Sequence, residues 1–133
     1  MNKRISKKEY YLNIAREVAR RSPCLRRKIG SILVKDDCIL ATGYNGVPRG
    51  DEHCEVCLRE SNNIPHGVDY SGCPAIHSEV NAIINAARTG ISIVGSTLYI
   101  SAIDKDGIHM SVPPCYRCKD IIKNAGIKEV IIM

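Results

Sequence analysis

The chain of 133 residues contains no tryptophan and no phenylalanine. Its six tyrosines are scattered, so it has no row of stacking positions of the kind that readers of single-stranded nucleic acid use. Nucleic acid is therefore not an expected partner. Long apolar runs are also missing. A stretch such as Ile29 to Val34 is far too short to span a bilayer, and no membrane partner is expected. The polar, basic start from Met1 to Tyr11 is followed by no apolar segment, so nothing has the form of a secretory signal, and the expected location is the cytoplasm. Repeats, low-complexity tracts and linkers are absent too. One domain over residues 1–133 is expected, long enough to bury a core without disulfides.

What is present is more specific. Lys plus Arg is 19 and Asp plus Glu is 14, a net charge of +5. That excess suits a phosphate-bearing ligand and suits an ordinary solvated surface equally well. Seven cysteines form an odd count. In a reducing compartment they point to metal binding or catalysis, not to disulfides.

The chain reads as α-β-β-α-β-α-β. Residues 6 to 21 have helical periodicity in Tyr11, Ile14, Ala15, Val18 and Ala19, with Ser6 and Glu9 placed as a capping box. Residues 29–34 and 38–42 read as strands joined by a polar turn. Residues 44–76 show no period, and an irregular stretch of that length in a small domain should be functional or pinned. A helix is expected over 77–87, closed by Gly90. A strand follows over 96–100, a loop over 101–112, a helix over 115–124 closed by Gly126, and a strand over 127–133. The last two strands are each reached through a helix, which predicts parallel pairing in a mixed sheet with helices packed on it.

Two short motifs carry chemistry: His77-Ser78-Glu79, and Cys115-Tyr116-Arg117-Cys118 preceded by Pro114. Both fall at the start of a predicted helix. Cys115 and Cys118 stand at i and i+3, share a face and can grip one ion. A helix N-terminus offers partial positive charge and free N–H groups, which favour thiolate over thiol. With His77 these make three protein ligands and leave one tetrahedral position open, the mark of a catalytic zinc site. Glu79 is not needed as a ligand and can move protons instead. Either motif alone is weak. Together they match the H-x-E…P-C-x-x-C signature of zinc deaminases.

With these residues in view, the sequence resembles the cytidine and deoxycytidylate deaminase superfamily, and within it the deoxycytidylate (dCMP) deaminases of microbes and phages. The resembling stretches are Cys24 to Val34, Ala41 to Gly50, His77 to Ile83, Thr97 to Ile100, Pro114 to Cys118 and Ala125 to Val130. Ser78 stands where the family usually has Ala, and Val80 where Gln or Leu is usual. The resemblance implies a cytidine-deaminase-like α/β/α sandwich with a mixed sheet. Family members continue past the strand that ends here at Met133 into a further helix and a fifth strand, which this sequence is expected to lack. It implies a catalytic zinc on His77, Cys115 and Cys118, with Glu79 as the catalytic residue, and hydrolysis of dCMP to dUMP and ammonia. Asn45 would bind the sugar or base, Arg26 the 5′-phosphate, with Arg27 second; an Arg fork matches phosphate oxygens. Asn45-Gly46 is also a common turn, and the Arg cluster also fits a helix C-terminus.

The resemblance further implies a homo-oligomer, in keeping with an apolar last strand that would otherwise lie uncovered at a sheet edge. A second, structural zinc is expected on Cys24, Cys54, Cys57 and Cys73. Cys54 and Cys57 have C-x-x-C spacing inside the irregular segment, and four thiolates make a closed site. His53 or His66 is the alternative for one of these positions. The alternatives for the activity are a deaminase of CMP, dCTP or tRNA adenosine, or a zinc-stabilised nucleic-acid-binding module. Glu79 argues against the last, because a structural site has no use for a carboxylate beside an open metal position.

Overall fold

The computed structural model describes residues 3–65 and 67–133. Helix α1, Lys7–Arg20, begins at Ser6, whose side chain accepts the Glu9 N–H at 3.1 Å, as the cap motif predicts. Strands β1, Arg27–Lys35, and β2, Cys38–Tyr44, form an antiparallel pair. The segment after β2 holds one short helix, α2, Leu58–Ser61. Then come α3, Ser78–Thr89; β3, Thr97–Asp104; β4, His109–Met110; α4, Tyr116–Asn124; and β5, Glu129–Ile132.

The sheet runs β2-β1-β3, with β5 and β4 both on the far side of β3. Strand β5 pairs with β3 in parallel, as expected for a strand reached through a helix. Strand β3 differs from expectation. It lies antiparallel to β1, because the connection from β2 through α3 passes over β1 and enters the sheet beyond it. The expected loop after residue 100 also differs. Strand β3 continues to Asp104, and β4 returns against it, with the Asp104 carboxylate accepting the Asp106 and Ile108 N–H groups in the turn.

Alternation along β1 divides the core into two. Ile32 and Val34 point to α1 and pack with Tyr11, Leu12, Ala15 and Tyr99. Leu33, on the opposite face, joins Ala82, Ala86, Leu98, Ile100, Cys118 and Ile122 under α3 and α4. Helices thus cover both faces of a mixed sheet. The contact with α3 is unusually close. A Cβ on Gly43 would stand 2.2 Å from the Ala82 amide nitrogen and 2.6 Å from the Ser78 carbonyl oxygen. Only glycine in β2 lets the first turns of α3 rest on the sheet there. That contact fixes where the start of α3 sits.

Candidate metal centre and nucleotide cleft

Two helices begin at one place. His77 is the N-cap residue of α3 and Cys115 that of α4, both with extended backbone. The His77 side chain caps nothing, so its ring is free to turn toward α4. His77 Nδ1 lies 3.1 Å from Cys118 Sγ and 3.4 Å from Cys115 Sγ. All three ligand atoms lie within 4.8 Å of one another. Tetrahedral zinc with ligands at about 2.0–2.3 Å holds them roughly 3.5 Å apart, so the spacing suits that ion.

The electrostatics agree. Burial holds the His77 imidazole below its ordinary range against the opposing Glu79 carboxylate, and the Arg59 and Arg117 guanidiniums act with burial. That favours the neutral ring, the form that binds a metal. Burial pushes the Cys118 thiol up, and the Glu79 carboxylate and Cys115 push the same way. A divalent cation among these groups would reverse the effect of the carboxylate and deprotonate the thiols. Glu79 itself is 5% exposed, in the first turn of α3.

The group opens on a cleft lined by Arg26, Arg27, Asn45, Arg59, Tyr70 and Glu79, among others. Its cations differ in what they already hold. Arg26 donates Nη1–H to the Ile64 carbonyl at 2.7 Å. Arg59 donates to the carbonyls of Pro65, Val68 and Asp69. Arg27 Nη1 is buried and has no hydrogen-bond partner among the described residues. Burial, and then the neighbouring Arg26 and Arg59 guanidiniums, pull the Arg27 pKa down. A half-buried guanidinium whose Nη1 is buried without a partner, beside two like charges, is poised for an anion.

Asn45 is tied into the backbone. Its Oδ1 accepts from Ser22 Oγ at 2.7 Å and from the Ile29 N–H at 2.9 Å, and its Nδ2 donates to the Arg27 carbonyl at 2.8 Å. It therefore braces the strand that carries Arg27 and has one amide N–H left. Cys24, Cys54, Cys57 and Cys73 share the wall of a neighbouring cavity with His53. Burial raises the Cys54 thiol, and Cys73, Cys24 and Cys57 add to it, so the four stand near one another. Among the described residues, however, their sulfurs do not converge as the His77 group does. His66 lies outside the described residues.

Sequence reasoning missed Arg59 and Tyr70. The Arg59 guanidinium stands 4.3 Å over the Tyr70 ring, and that ring meets His77 edge-on at 4.7 Å. Both residues lie in or beside irregular backbone, where no periodicity marks them out.

Comparison with known proteins agrees with this geometry. Residues 5–133 match the family model for the cytidine and deoxycytidylate deaminase zinc-binding region. The chain is 38% identical over 128 residues to a deoxycytidylate deaminase of Mycobacterium phage D29, covering 92% of this chain and 91% of that one. A crystal structure of dCMP deaminase from the cyanophage S-TIM5, in complex with dCMP and dUMP, superposes with a TM-score of 0.74 at 31% identity, covering 97% of this chain and 82% of that one. The cytidine deaminase of Mycobacterium tuberculosis, at 17% identity and a TM-score of 0.55 over 95% of this chain and 83% of that one, shares the fold. The chain belongs to the cytidine and deoxycytidylate deaminase family.

Proposed function

We propose that this member of the cytidine and deoxycytidylate deaminase family is a zinc-dependent nucleotide deaminase that hydrolyses dCMP to dUMP and ammonia. The observation that carries the proposal is one cleft holding both a His-Cys-Cys ligand group with a buried carboxylate and an unpartnered guanidinium. The dCMP and dUMP bound by the S-TIM5 relative support the choice of substrate.

His77, Cys115 and Cys118 would hold zinc, which when bound supplies Lewis acidity and brings the pKa of water to about 7. Glu79 takes a proton from the attacking water and passes it to the pyrimidine ring nitrogen. It then takes the proton of the hydroxyl newly bonded to C4 and gives it to the amino group, which leaves as ammonia as the C4–N bond breaks and the C4 carbonyl forms. One carboxylate serves these successive transfers because burial keeps bulk water from competing. Arg27 binds the 5′-phosphate, with Arg26 beside it. This order reverses the one expected from sequence, because Arg26 already holds the Ile64 carbonyl. Asn45 holds β1 in place and turns its remaining N–H to the sugar or base.

The protein is further proposed to act as a homo-oligomer in the cytoplasm. Among the described residues no helix is long and apolar enough to cross a membrane. A second zinc on Cys24, Cys54, Cys57 and Cys73 is supported by the C-x-x-C spacing and by the shared cavity wall. Metal analysis should find two zinc ions per chain and one in Cys54→Ser. One in the fully loaded parent would exclude the second site.

Ammonia release from a panel of cytosine and adenine nucleosides and nucleotides, with and without a chelator, tests the activity. dCMP is expected to lead the panel, with turnover lost on chelation. Turnover of CMP, dCTP or an adenine substrate in preference to dCMP would overturn the assignment.

A further inference from the structure

Two serines lie beneath the Glu79 carboxylate. Ser78, the first residue of α3, donates its Oγ–H to Glu79 Oε1 at 2.6 Å. Ser31, in the middle of β1, has its Oγ 2.8 Å from Ser78 Oγ. Ser31 and Ser78 are both 0% exposed. A hydroxyl has one hydrogen to give. Ser78 gives its hydrogen to the carboxylate and so accepts from Ser31. The chain of bonds is therefore directed, from Ser31 to Ser78 to Oε1.

Its foundation is rigid. Ser31 stands on a strand with neighbours on both sides, opposite Gly43 of β2 and Ile100 of β3. Its side chain lies on the same face of β1 as Leu33, under α3, while Gly30 and Ile32 face α1. A hydroxyl-to-carboxylate bond of about 2.5–2.7 Å is of the strong, charge-assisted kind, and a donor that itself accepts a bond is polarised further. The carboxylate is thereby held by one oxygen, and its rotation about the last side-chain bond is restricted.

We infer that Ser78, backed by Ser31, is a positioning residue for the proton transfers, holding Glu79 by Oε1 and leaving Oε2 as the oxygen that handles the proton. The inference rests on the catalytic reading of Glu79.

Steady-state kinetics on dCMP with zinc-loaded Ser78→Ala, Ser31→Ala, the double variant and Glu79→Gln test it, with zinc content and thermal unfolding recorded for each. Ser78→Ala should lower kcat about tenfold, as for loss of a hydrogen bond to a charged group, with KM within about twofold of the parent. Ser31→Ala, which does not touch Glu79, should lower kcat about threefold, and the double variant should match Ser78→Ala alone. A kcat within twofold of the parent in Ser78→Ala would overturn the inference. So would a matching change in KM, or the same threefold loss from Ser31→Ala in both backgrounds. Activity in Glu79→Gln would instead bring down the catalytic reading itself. Should Ser78→Ala not fold, Ser31→Ala decides: a fall in kcat at constant KM supports the relay, and no change refutes it.

Discussion

His77 Nδ1 and Cys118 Sγ lie 3.1 Å apart although the residues are separated by α3 and the β3–β4 hairpin and belong to the starts of different helices. The pairing arises from two packing decisions made elsewhere. Gly43 lets α3 settle against β2, and Ile122 and Cys118 press α4 into the same core as Ala82 and Ala86 of α3. The two helix starts then meet at one edge of that core.

The close approach at Gly43 is directly testable. Gly43→Ala should destabilise the fold by about 1–3 kcal/mol, because the added methyl meets backbone that cannot turn aside. Denaturant unfolding of parent and variant measures it, and a change below about 0.5 kcal/mol would contradict the packing described.

Arg27 should separate nucleotide from nucleoside. Arg27→Ala is expected to lower kcat/KM for dCMP about 10- to 100-fold, as for loss of charged hydrogen bonds, while leaving deoxycytidine nearly unchanged. Arg26→Ala should have a smaller effect in the same direction. Equal losses on both substrates would remove the phosphate role from Arg27.

Alkaline stability should depend on Tyr11. Its hydroxyl donates to the Asp37 carboxylate, and that bond, followed by burial and the Asp37 charge, pushes the Tyr11 pKa up to about 12 from 10.0. A raised pKa means that the folded state favours the protonated phenol. The stabilisation is therefore complete below about pH 10 and is lost as the pH rises toward 12. Tyr11→Phe should be less stable than the parent at pH 8, and the gap should close between pH 10 and 12. A constant gap across that range would refute the coupling.

Much of this arrangement is legible from residue patterns, and the reason differs by element. Helices α1, α3 and α4 show 3.6-residue periodicity with caps at Ser6, Gly90 and Gly126, so local signals suffice. The His77, Cys115 and Cys118 group is legible because each motif marks a helix start, and two such starts can meet. The neighbour of β3 is not legible, since antiparallel pairing with β1 is decided by which sheet edge the α3 crossover reaches. Helix α2 and strand β4 are too short to show a period. Arg59 and Tyr70 act through carbonyls and ring edges of irregular backbone, which leave no pattern in the sequence. The proposed preference for Arg27 over Arg26 rests on the Arg26 bond to the Ile64 carbonyl, 38 residues away, which no local pattern shows.

The most direct test of the account is ammonia release from dCMP by Glu79→Gln, measured beside zinc content. The glutamine keeps the shape of the side chain but cannot accept and return a proton. Since general acid-base catalysis is typically worth about 10²–10⁴-fold and Glu79 is proposed to serve more than one transfer, turnover should fall by at least about a hundredfold with the proposed catalytic zinc retained. Turnover within tenfold of the parent, in protein that still holds that zinc, would contradict it.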